Sequence, residues 1–313
     1  MILVLAGGVG AARFLEGLVQ IVPATSITAV VNTGDDMELH GLKISPDMDI
    51  VTCTLADLID REQGWGIVGD TDACMAWLIK LGGPGWFKLG DRDLALHIRR
   101  TAMLRAGHTL SEVADSFRRA LGVMVGIMPM SDDPVPTHIL TDQGELHFEE
   151  YFVQQRAQPT VRGVRYMGAE QARPAPGLLE LIATAEAILI APSNPVVSIG
   201  PILAIPGVRE AILTSSAPVV TVSPIVGGAP IKGPAAPLMR ALGLEVSALG
   251  VAHAYRGLLD GIVIDEVDRA LAEPIAECGV RVAITDTIMR GPVEKANLAR
   301  TALDLAAAHS AAA

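Results

Sequence analysis

The chain has 313 residues, a length typical of one large α/β domain or of two smaller ones. Half of the residues are hydrophobic but only 4% are aromatic, which excludes general disorder and favours parallel strands covered by helices on both faces. The formal net charge of −11 argues against broad nucleic-acid binding and against docking on anionic membranes.

Cysteine usage and hydropathy indicate the cellular compartment. Cys53, Cys74 and Cys278 are widely spaced and form no C-x-x-C pair, so we expect neither a disulfide framework nor a structural zinc site. No apolar run approaches the ~20 residues that span a bilayer, and the opening apolar segment is too short for a signal peptide. We therefore expect a soluble, cytoplasmic protein with no membrane or nucleic-acid partner.

The N-terminal segment has the pattern of a βαβ unit. The order is a strand at 2–6, a glycine turn at 7–10, a helix at 11–21, a strand at 27–32 and a polar loop at 33–36. Two strands joined by a helix in this way predict a parallel sheet with a right-handed crossover.

The middle of the chain departs from this pattern. Helices are predicted at 71–81, 93–106 and 110–120 with no strands between them, followed by a β-hairpin at 137–141 and 145–149 and a strand at 160–166. These segments indicate an inserted helical and β-hairpin region over residues 65–170.

Alternation of helices and strands resumes near residue 176. Helices are predicted at 177–185, 206–213, 234–242 and 291–309, and strands at 187–191, 218–222, 261–265 and 280–284. We therefore expect an α/β fold in which residues 1–64 and 171–313 form a Rossmann-like, doubly wound and mainly parallel sheet. Ligands of such sheets bind beyond the carboxyl ends of the strands.

The glycine turn after the first strand is the first candidate ligand site. Gly7, Gly8 and Gly10 let the backbone approach a phosphate at the positive end of the next helix. The alternative is a turn needed only for tight strand–helix packing. Arg13 stands where the third glycine of G-x-G-x-x-G would be, and no P-loop Lys-Ser/Thr follows. This spacing disfavours a nicotinamide-dependent dehydrogenase.

An acidic loop follows the second strand. Asp35, Asp36, Asp47 and Asp49 lie within fifteen residues, and carboxylates of this kind suit Mg²⁺, which keeps several waters and bridges substrate phosphates. The alternative is that Asp47 or Asp49 caps a helix starting near Ile50.

Two further groups of polar residues are candidates. Ser193 and Asn194 follow a predicted strand and suit a base, a ribose or a phosphate, unless they only cap a helix with Pro at its first position. Lys88 and Arg92 stand beside two acids and two aromatics, which fits either surface pairing or contact with a planar or anionic substrate. His97 follows on the same predicted helix, although a lone histidine is more often structural. Covalent catalysis is disfavoured because no G-x-S-x-G motif is present.

Five segments together resemble the CofD family, called FbiA in actinobacteria, which are the 2-phospho-L-lactate transferases of coenzyme F420 biosynthesis. The segments are GGVGAARFLEGL, VNTGDDMELHGLKISPDMD, WFKLGDRDLALHIRR, APSNPVVSIGPILAIPGVR and SPIVGGAPIKGP. The resemblance extends over residues 1–305. It implies a Rossmann-like core with an inserted smaller region that contributes to the deazaflavin site, a homodimer and a requirement for Mg²⁺.

The resemblance also implies a reaction. The terminal ribityl hydroxyl of the deazaflavin Fo attacks the phosphorus of a guanosine diphosphate ester that bears a lactyl or enolpyruvyl group. GMP leaves, and the product is coenzyme F420-0 or its dehydro form. The three-carbon acid of the donor remains open.

Roles for individual residues follow from the same resemblance. Asp49 and Lys88 match positions that the family uses for Fo, with Arg92 and His97 beside them. Asp35, with Asp36 or Asp47, is expected to bind the metal, and Asp49 or Asp47 to orient or deprotonate the attacking hydroxyl. The guanosine diphosphate is expected to contact Gly7, Gly8, Gly10, Ser193 and Asn194.

One alternative comes from another functional class. A YvcK-like regulatory protein shares the glycine turn and the acidic loop but binds a nucleotide-sugar without this transferase activity. The segments ISPDMD and LGDRDLA are not its pattern.

Overall fold

The computed structural model of the chain describes residues 1–61 and 63–310. Strands β1 to β14 are Ile2–Ala6, Ile27–Val31, Met37–Leu39, Leu42–Ile44, Gly126–Pro129, Thr137–Thr141, Gly144–His147, Val161–Tyr166, Ala187–Ile190, Val219–Val222, Ile225–Val226, Ala229–Pro230, Gly261–Asp265 and Arg281–Thr285. Helices α1 to α12 are Gly8–Leu18, Pro46–Leu55, Ala73–Lys80, Asp91–Arg105, Leu110–Ala120, Leu178–Thr184, Gly200–Ala204, Val208–Thr214, Ala235–Ala241, Ala248–Ala254, Ala272–Ala276 and Pro292–Ser310.

The central sheet is parallel and doubly wound. Within the described residues it has seven strands, in the order β14-β13-β10-β9-β1-β2-β5. Ile2 of β1 pairs with Ile27 of β2 on one side and with Ala187 of β9 on the other. The strands β2 and β5 lie on one side of β1, and the later strands β9, β10, β13 and β14 lie on the other. The topological switch point is therefore between β1 and β9. The predicted fold class is confirmed.

Both faces of the sheet are buried, which explains the continuous apolar strands. Leu3 and Leu5 of β1 pack into one hydrophobic core, while Val4 and Ala6 pack into a second core on the opposite face. Helices α6, α8, α9 and α10 cover the first face, and α1, α2, α5 and α12 cover the second. A strand buried on both faces reads as an unbroken hydrophobic run in the sequence.

No single helix in the described part of the chain is long and apolar enough to cross a membrane. The consecutive segments Pro195–Ala204 and Val208–Thr214 reach that length only together, and they meet at an angle of 86°.

Two helices next to the candidate ligand loops begin three or more residues earlier than predicted. Helix α1 begins at Gly8 instead of residue 11, because the glycine turn forms its first turn. Helix α2 begins at Pro46 instead of near Ile50, since Pro fits the first helical position. Ser45 is therefore the N-cap residue, and Asp47 and Asp49 lie in the first turn. The alternative that either aspartate caps this helix is wrong.

The inserted range contains the predicted helices α3, α4 and α5 and an antiparallel sheet in the order β7-β6-β8. It also contains β5, which was not predicted and which pairs with β2 at the edge of the central sheet. The sequence pattern does not indicate this strand, because it contains Gly126 and Pro129 and both residue types are rare in strands. The hairpin of β3 and β4 was likewise not predicted; its Leu39 and Ile44 pack against α3 and α4 in a small third core. The division of the chain into a core and an inserted region stays a prediction.

Helix α4 is fixed at its N-terminus by a residue distant in sequence. Gly90 occupies the N-cap position and has no side chain, and the Asp70 carboxylate accepts the N–H groups of Arg92 at 2.9 and 3.0 Å and of Asp93 at 3.3 Å instead. Asp70 therefore satisfies the free N–H groups of the first turn, as a capping residue does. This contact positions the helix that includes His97 and Arg100.

We predict that Asp70→Ala lowers the free energy of unfolding by about 1 kcal/mol, the usual cost of losing a helix cap. Chemical denaturation measures this value. Asp72→Ala is the matched control, because Asp72 precedes α3 without making a capping hydrogen bond, and its effect should stay within about 0.5 kcal/mol. Equal effects of the two substitutions would show that Asp70 does not cap α4.

Candidate active site

A cavity of about 540 Å³ opens at the carboxyl edge of the central sheet. Its volume lies in the range of about 300–1,000 Å³ that is usual for small-molecule sites. The loops after β1, β2, β9, β10 and β14 form its walls, together with residues of the inserted range. The predicted site residues that line it are Gly7, Gly8, Gly10, Asp35, Asp47, Asp49, Lys88, His97, Ser193 and Asn194.

Two predicted residues lie off the cavity wall. Asp36 is half-buried and does not line the cavity; one carboxylate oxygen accepts the Ser45 hydroxyl at 2.6 Å, and loss of hydration raises its pKa to about 8. Arg92 does not line the cavity, and its guanidinium donates to the Val68 carbonyl at 2.7 Å. The structure therefore pairs Asp35 with Asp47 rather than with Asp36.

The glycine turn and the loop after β9 meet at the switch point. The Gly7 N–H donates to Ser193 Oγ at 3.3 Å, and the Ser193 hydroxyl donates to the Gly7 carbonyl at 2.9 Å. A Cβ atom on Gly7 would lie 2.6 Å from Ser198 Cβ and 2.9 Å from Asp47 Oδ2, so only glycine fits there. The Gly8 N–H donates to the Asp47 carboxylate, and Gly8 has a positive φ of 71°.

A single amide group links two buried carboxylates. Asn32 Nδ2 donates to Asp35 Oδ1 at 3.2 Å and to Asp47 Oδ2 at 2.9 Å, and both aspartates are only 5% exposed. Burial and the charges of Asp47 and Glu149 raise the pKa of Asp35 well above its usual range. Burial raises the pKa of Asp47 to about 6, although Asn32 and the Gly8 N–H stabilise its charged form.

These carboxylates fit a divalent cation. Two acids that share one donor repel each other in a buried site, and a cation between them removes this cost. The residues described here include no group of three His, Cys, Asp or Glu side chains placed to bind a metal ion. Mg²⁺ needs no such group, because it commonly takes one or two carboxylates and completes its shell with water and phosphate oxygens.

Asp49 is held by a buried arginine. Its Oδ1 accepts a hydrogen bond from Arg100 Nη2, and the Arg100 guanidinium is only 3% exposed. The same guanidinium donates to the Lys43 carbonyl at 3.2 Å. Asp49 Oδ2 is buried without a hydrogen-bond partner in the described chain. Asp49 lines the cavity, and its Oδ2, which lies 3.5 Å from His97 Nδ1, has the capacity to accept a hydrogen bond from a bound donor group.

Arg100 also determines the state of His97. Arg100 Nη1 lies 3.1 Å from His97 Nδ1, and since arginine only donates, Nδ1 must be an unprotonated acceptor. The proton of the neutral ring is therefore on Nε2. Burial, with the Arg100 charge, lowers the pKa of His97 to about 4 despite the nearby Asp49.

Aromatic side chains from the inserted range form the other walls. Trp65 and Phe87 line one part of the cavity, next to Lys88. Phe148 and Phe152 line another, with ring centroids 5.7 Å apart and planes inclined by 12°. These rings suit a flat, partly apolar ligand.

Asn194 has one of the two roles that the sequence left open, that of a helix cap. Its side-chain oxygen accepts the N–H groups of Val196 at 2.9 Å and of Val197 at 3.4 Å, with Pro195 at the first position of the π-helical turn Pro195–Ile199. Capping is therefore confirmed, and Asn194 also lines the cavity. Its contact with a nucleotide stays a prediction.

Three residues of this site have no role in the prediction from sequence: Asn32, Arg100 and Glu149. Asn32 ends a predicted strand, and Arg100 lies one helical turn after His97 on a predicted helix. Their positions in the sequence are therefore signals that both residues lie near the site. Glu149 had no such signal. It lines the cavity beside the acid cluster, and burial, with the Asp47 charge, raises its pKa to about 8.

Comparisons with known proteins identify close relatives. The family model described as 2-phospho-L-lactate transferase CofD matches residues 2–297. A Streptomyces griseus protein named phosphoenolpyruvate transferase is 49% identical, over 97% of this chain and 98% of the relative. A Methanosarcina mazei protein named 2-phospho-L-lactate transferase is 42% identical, over 95% of this chain and 97% of the relative. A solved structure of a UPF0052 family protein from Bacillus halodurans is similar in fold, with a TM-score of 0.66 at 19% identity over 96% of this chain and 98% of that chain.

We predict that His97 stays neutral, with its proton on Nε2, between pH 8 and about pH 5.5, because its pKa is lowered to about 4. Long-range ¹H–¹⁵N correlation spectra across this range measure both tautomer and charge. The urea-unfolded chain is the reference, in which histidines titrate near ~6.5. A folded-state titration of His97 near that value, or a proton on Nδ1, would contradict the contact with Arg100.

Proposed function

The chain belongs to the CofD family of transferases, and from this we propose that it acts in coenzyme F420 biosynthesis. In the proposed reaction it transfers a phospholactyl or enolpyruvyl-phosphate group from a guanosine diphosphate ester to the ribityl hydroxyl of the deazaflavin Fo. GMP is released, and the product is coenzyme F420-0 or its dehydro form.

The observation that supports this chemistry is the unpartnered Asp49 oxygen in the same cavity as the Asp35–Asp47 pair. A hydroxyl group that donates to Asp49 Oδ2 would be oriented for attack and would have an acceptor for its proton. The hydroxyl oxygen forms a bond to the phosphorus that bears the three-carbon acid. The bond from that phosphorus to the bridging oxygen breaks, and the bridging oxygen leaves with GMP.

Arg100 and His97 support Asp49 in this role. Arg100 binds one carboxylate oxygen, which orients the second oxygen and balances part of the charge. The neutral His97 adds no positive charge to the pair, so Asp49 has one fixed cationic partner. Both residues are on α4, which Asp70 anchors.

Asp35 and Asp47 are the residues that would bind Mg²⁺. When bound, the ion neutralises charge on the phosphate oxygens of the donor. The chain itself supplies the glycine turn at the N-terminus of α1, where free N–H groups suit a phosphate. It also supplies Ser193, which holds the turn against the neighbouring strand end.

The deazaflavin ring is proposed to occupy the part of the cavity that the inserted range encloses. Trp65, Phe87 and Lys88 line this part, together with Phe148 and Phe152. Apolar and aromatic walls bind a flat ring and exclude water from the reacting hydroxyl.

The direct test supplies the purified protein with Fo, Mg²⁺, GTP, a guanylyltransferase and either phospholactate or phosphoenolpyruvate. Mass spectrometry should show GMP and a product with the mass of Fo plus the transferred group. Turnover with one acid identifies the donor. Tight binding of a nucleotide-sugar with neither Fo binding nor transfer would instead support the YvcK-like regulatory protein.

We predict that Asp35→Asn weakens Mg²⁺ binding in the presence of GDP and lowers turnover by at least about 100-fold, the scale of losing one charge-stabilising group. Asp36→Asn is the discriminating variant, because Asp36 lies off the cavity wall; it should bind Mg²⁺ as the native chain does. Titration calorimetry measures the binding. Equal losses in both variants would contradict a specific role for Asp35.

Magnesium binding to the native chain should depend on pH. In the folded chain without metal, Asp47 with a pKa of about 6 and Glu149 with a pKa of about 8 retain protons as the pH falls. Protons compete with the cation, so affinity should rise from pH 6 to pH 8 with release of protons. Calorimetry in buffers of different ionisation enthalpy counts these protons, and a pH-independent affinity would contradict metal binding at these acids.

We predict that Asp49→Asn weakens Fo binding by about tenfold while GDP binding changes little, because an amide replaces a charged acceptor in contact with Fo alone. Fluorescence titration with Fo and calorimetry with GDP measure the two affinities. Asp57→Asn, which changes an exposed carboxylate just after α2, is the matched control. An unchanged Fo titration would show that Asp49 does not bind the acceptor.

A further inference from the structure

Besides Lys88 of the inserted range, two cations that line the cavity have no acidic partner in the described part of the chain. Arg13 is on α1, and Lys232 lies between β12 and α9. Within residues 1–61 and 63–310, neither side chain makes a hydrogen bond or an ion pair. The two are also close enough to repel each other, since burial and the Arg13 charge lower the pKa of Lys232. Two neighbouring like charges repel each other, and an anion that binds between them removes this repulsion.

The loop of Lys232 is held in place by a buried acid that the proposed mechanism does not use. Asp268 is 6% exposed, and its carboxylate accepts the Gly227 N–H at 3.2 and 3.0 Å. Gly227 is in the turn of the β11–β12 hairpin, just before Lys232. Asp265 fixes the neighbouring wall in the same way, because its Oδ2 accepts the N–H and the hydroxyl of Thr287, both at 2.8 Å. Hydrogen bonds to two buried carboxylates therefore fix the backbone at this end of the cavity.

The strand order separates these cations from the acids. Lys232 follows β10, which lies two strands from β1 on one side of the sheet. Asp35 follows β2, which is adjacent to β1 on the other side. With strands about 4.8 Å apart, the ends of β10 and β2 are roughly 14 Å apart. The glycine turn after β1 lies between them. Arg13 follows Gly8 by five residues, about 7.5 Å along α1.

The strand ends are farther apart than the two adjacent phosphates of a diphosphate, but the acids and the two cations line one cavity and their side chains span part of this distance. The reacting phosphate must lie beside the Fo hydroxyl and the acids after β2. The other phosphate, which stays with the nucleoside, then extends past the glycine turn towards β10. We propose that Arg13 and Lys232 bind the phosphate of the nucleoside monophosphate leaving group. This inference rests on the proposed transferase function.

The two cations would also assist bond breaking. As the phosphorus–oxygen bond breaks, its electron pair stays on the bridging oxygen, and negative charge grows on the departing monophosphate. The proton of the Fo hydroxyl goes to Asp49, so it does not neutralise that charge. Fixed cations beside the leaving group stabilise it most in the transition state. Their removal should therefore lower kcat as well as nucleotide affinity.

The test compares Arg13→Gln and Lys232→Gln in the full chain, with GMP, guanosine and Fo as separate probes in calorimetry. Each substitution should weaken GMP binding by about tenfold or more, the scale of a charge-assisted hydrogen bond. Guanosine and Fo affinities should not change. Arg240→Gln is the matched control, because Arg240 is exposed on α9 outside the cavity. Lys232 is itself exposed, so its variant retains the fold even if Arg13→Gln does not.

The other possible results distinguish the phosphate contact from the transferase proposal. Native-like GMP binding in the Lys232 variant, or an equal loss for guanosine and GMP, overturns the phosphate contact while leaving the transferase proposal intact. A native chain that binds neither GMP nor GDP overturns both proposals. A lower kcat in both cation variants, with native-like Fo affinity, supports stabilisation of the leaving group.

Discussion

The amide group of Asn32 holds the carboxylates of Asp35 and Asp47 side by side on the cavity wall, where each residue is only 5% exposed. This contact joins the end of β2 to the first turn of α2, and the Asp47 carboxylate in turn accepts the Gly8 N–H at the start of α1. Three elements therefore meet at one pair of acids. Such a pair is costly in an apolar interior unless hydrogen bonds and a counter-charge compensate it. The close approach of Gly7 to Asp47 and Ser198 shows how tightly the backbone is packed around it.

The cavity divides into two ends of different chemistry around this pair. The inserted range supplies rings and apolar side chains, which suit a flat acceptor. The loops after β10 and β14 supply hydroxyl groups, backbone and Lys232, and α1 supplies Arg13, which together suit a nucleotide. Because the strands are parallel and all their carboxyl ends reach one edge, a long ligand can contact both ends at once. The order of the strands thus determines the order of the chemical groups along the site.

Hydrophobic periodicity predicted the central sheet well, because strands buried on both faces leave unbroken apolar runs. It missed β5, whose Gly126 and Pro129 lack strand character and whose place depends on pairing with β2. Periodicity also could not choose between Asp36 and Asp47 as partner of Asp35. That choice depends on where α2 begins, and Pro46 places Asp47 in its first turn. The contact of Asp49 with Arg100 joins residues 51 positions apart, which a single sequence does not reveal. Magnesium and the homodimer stay predictions from the family resemblance.

The proposed chemistry depends on a cation that joins the acids of the sheet edge to a phosphate at the glycine turn. Manganese, which replaces magnesium at oxygen sites, gives an anomalous X-ray signal that locates it directly. In crystals of the protein with GDP and Mn²⁺, we expect one strong anomalous peak in contact with the carboxylates of Asp35 and Asp47 and with a phosphate oxygen. A peak elsewhere, or a nucleotide bound away from the glycine turn, would contradict it.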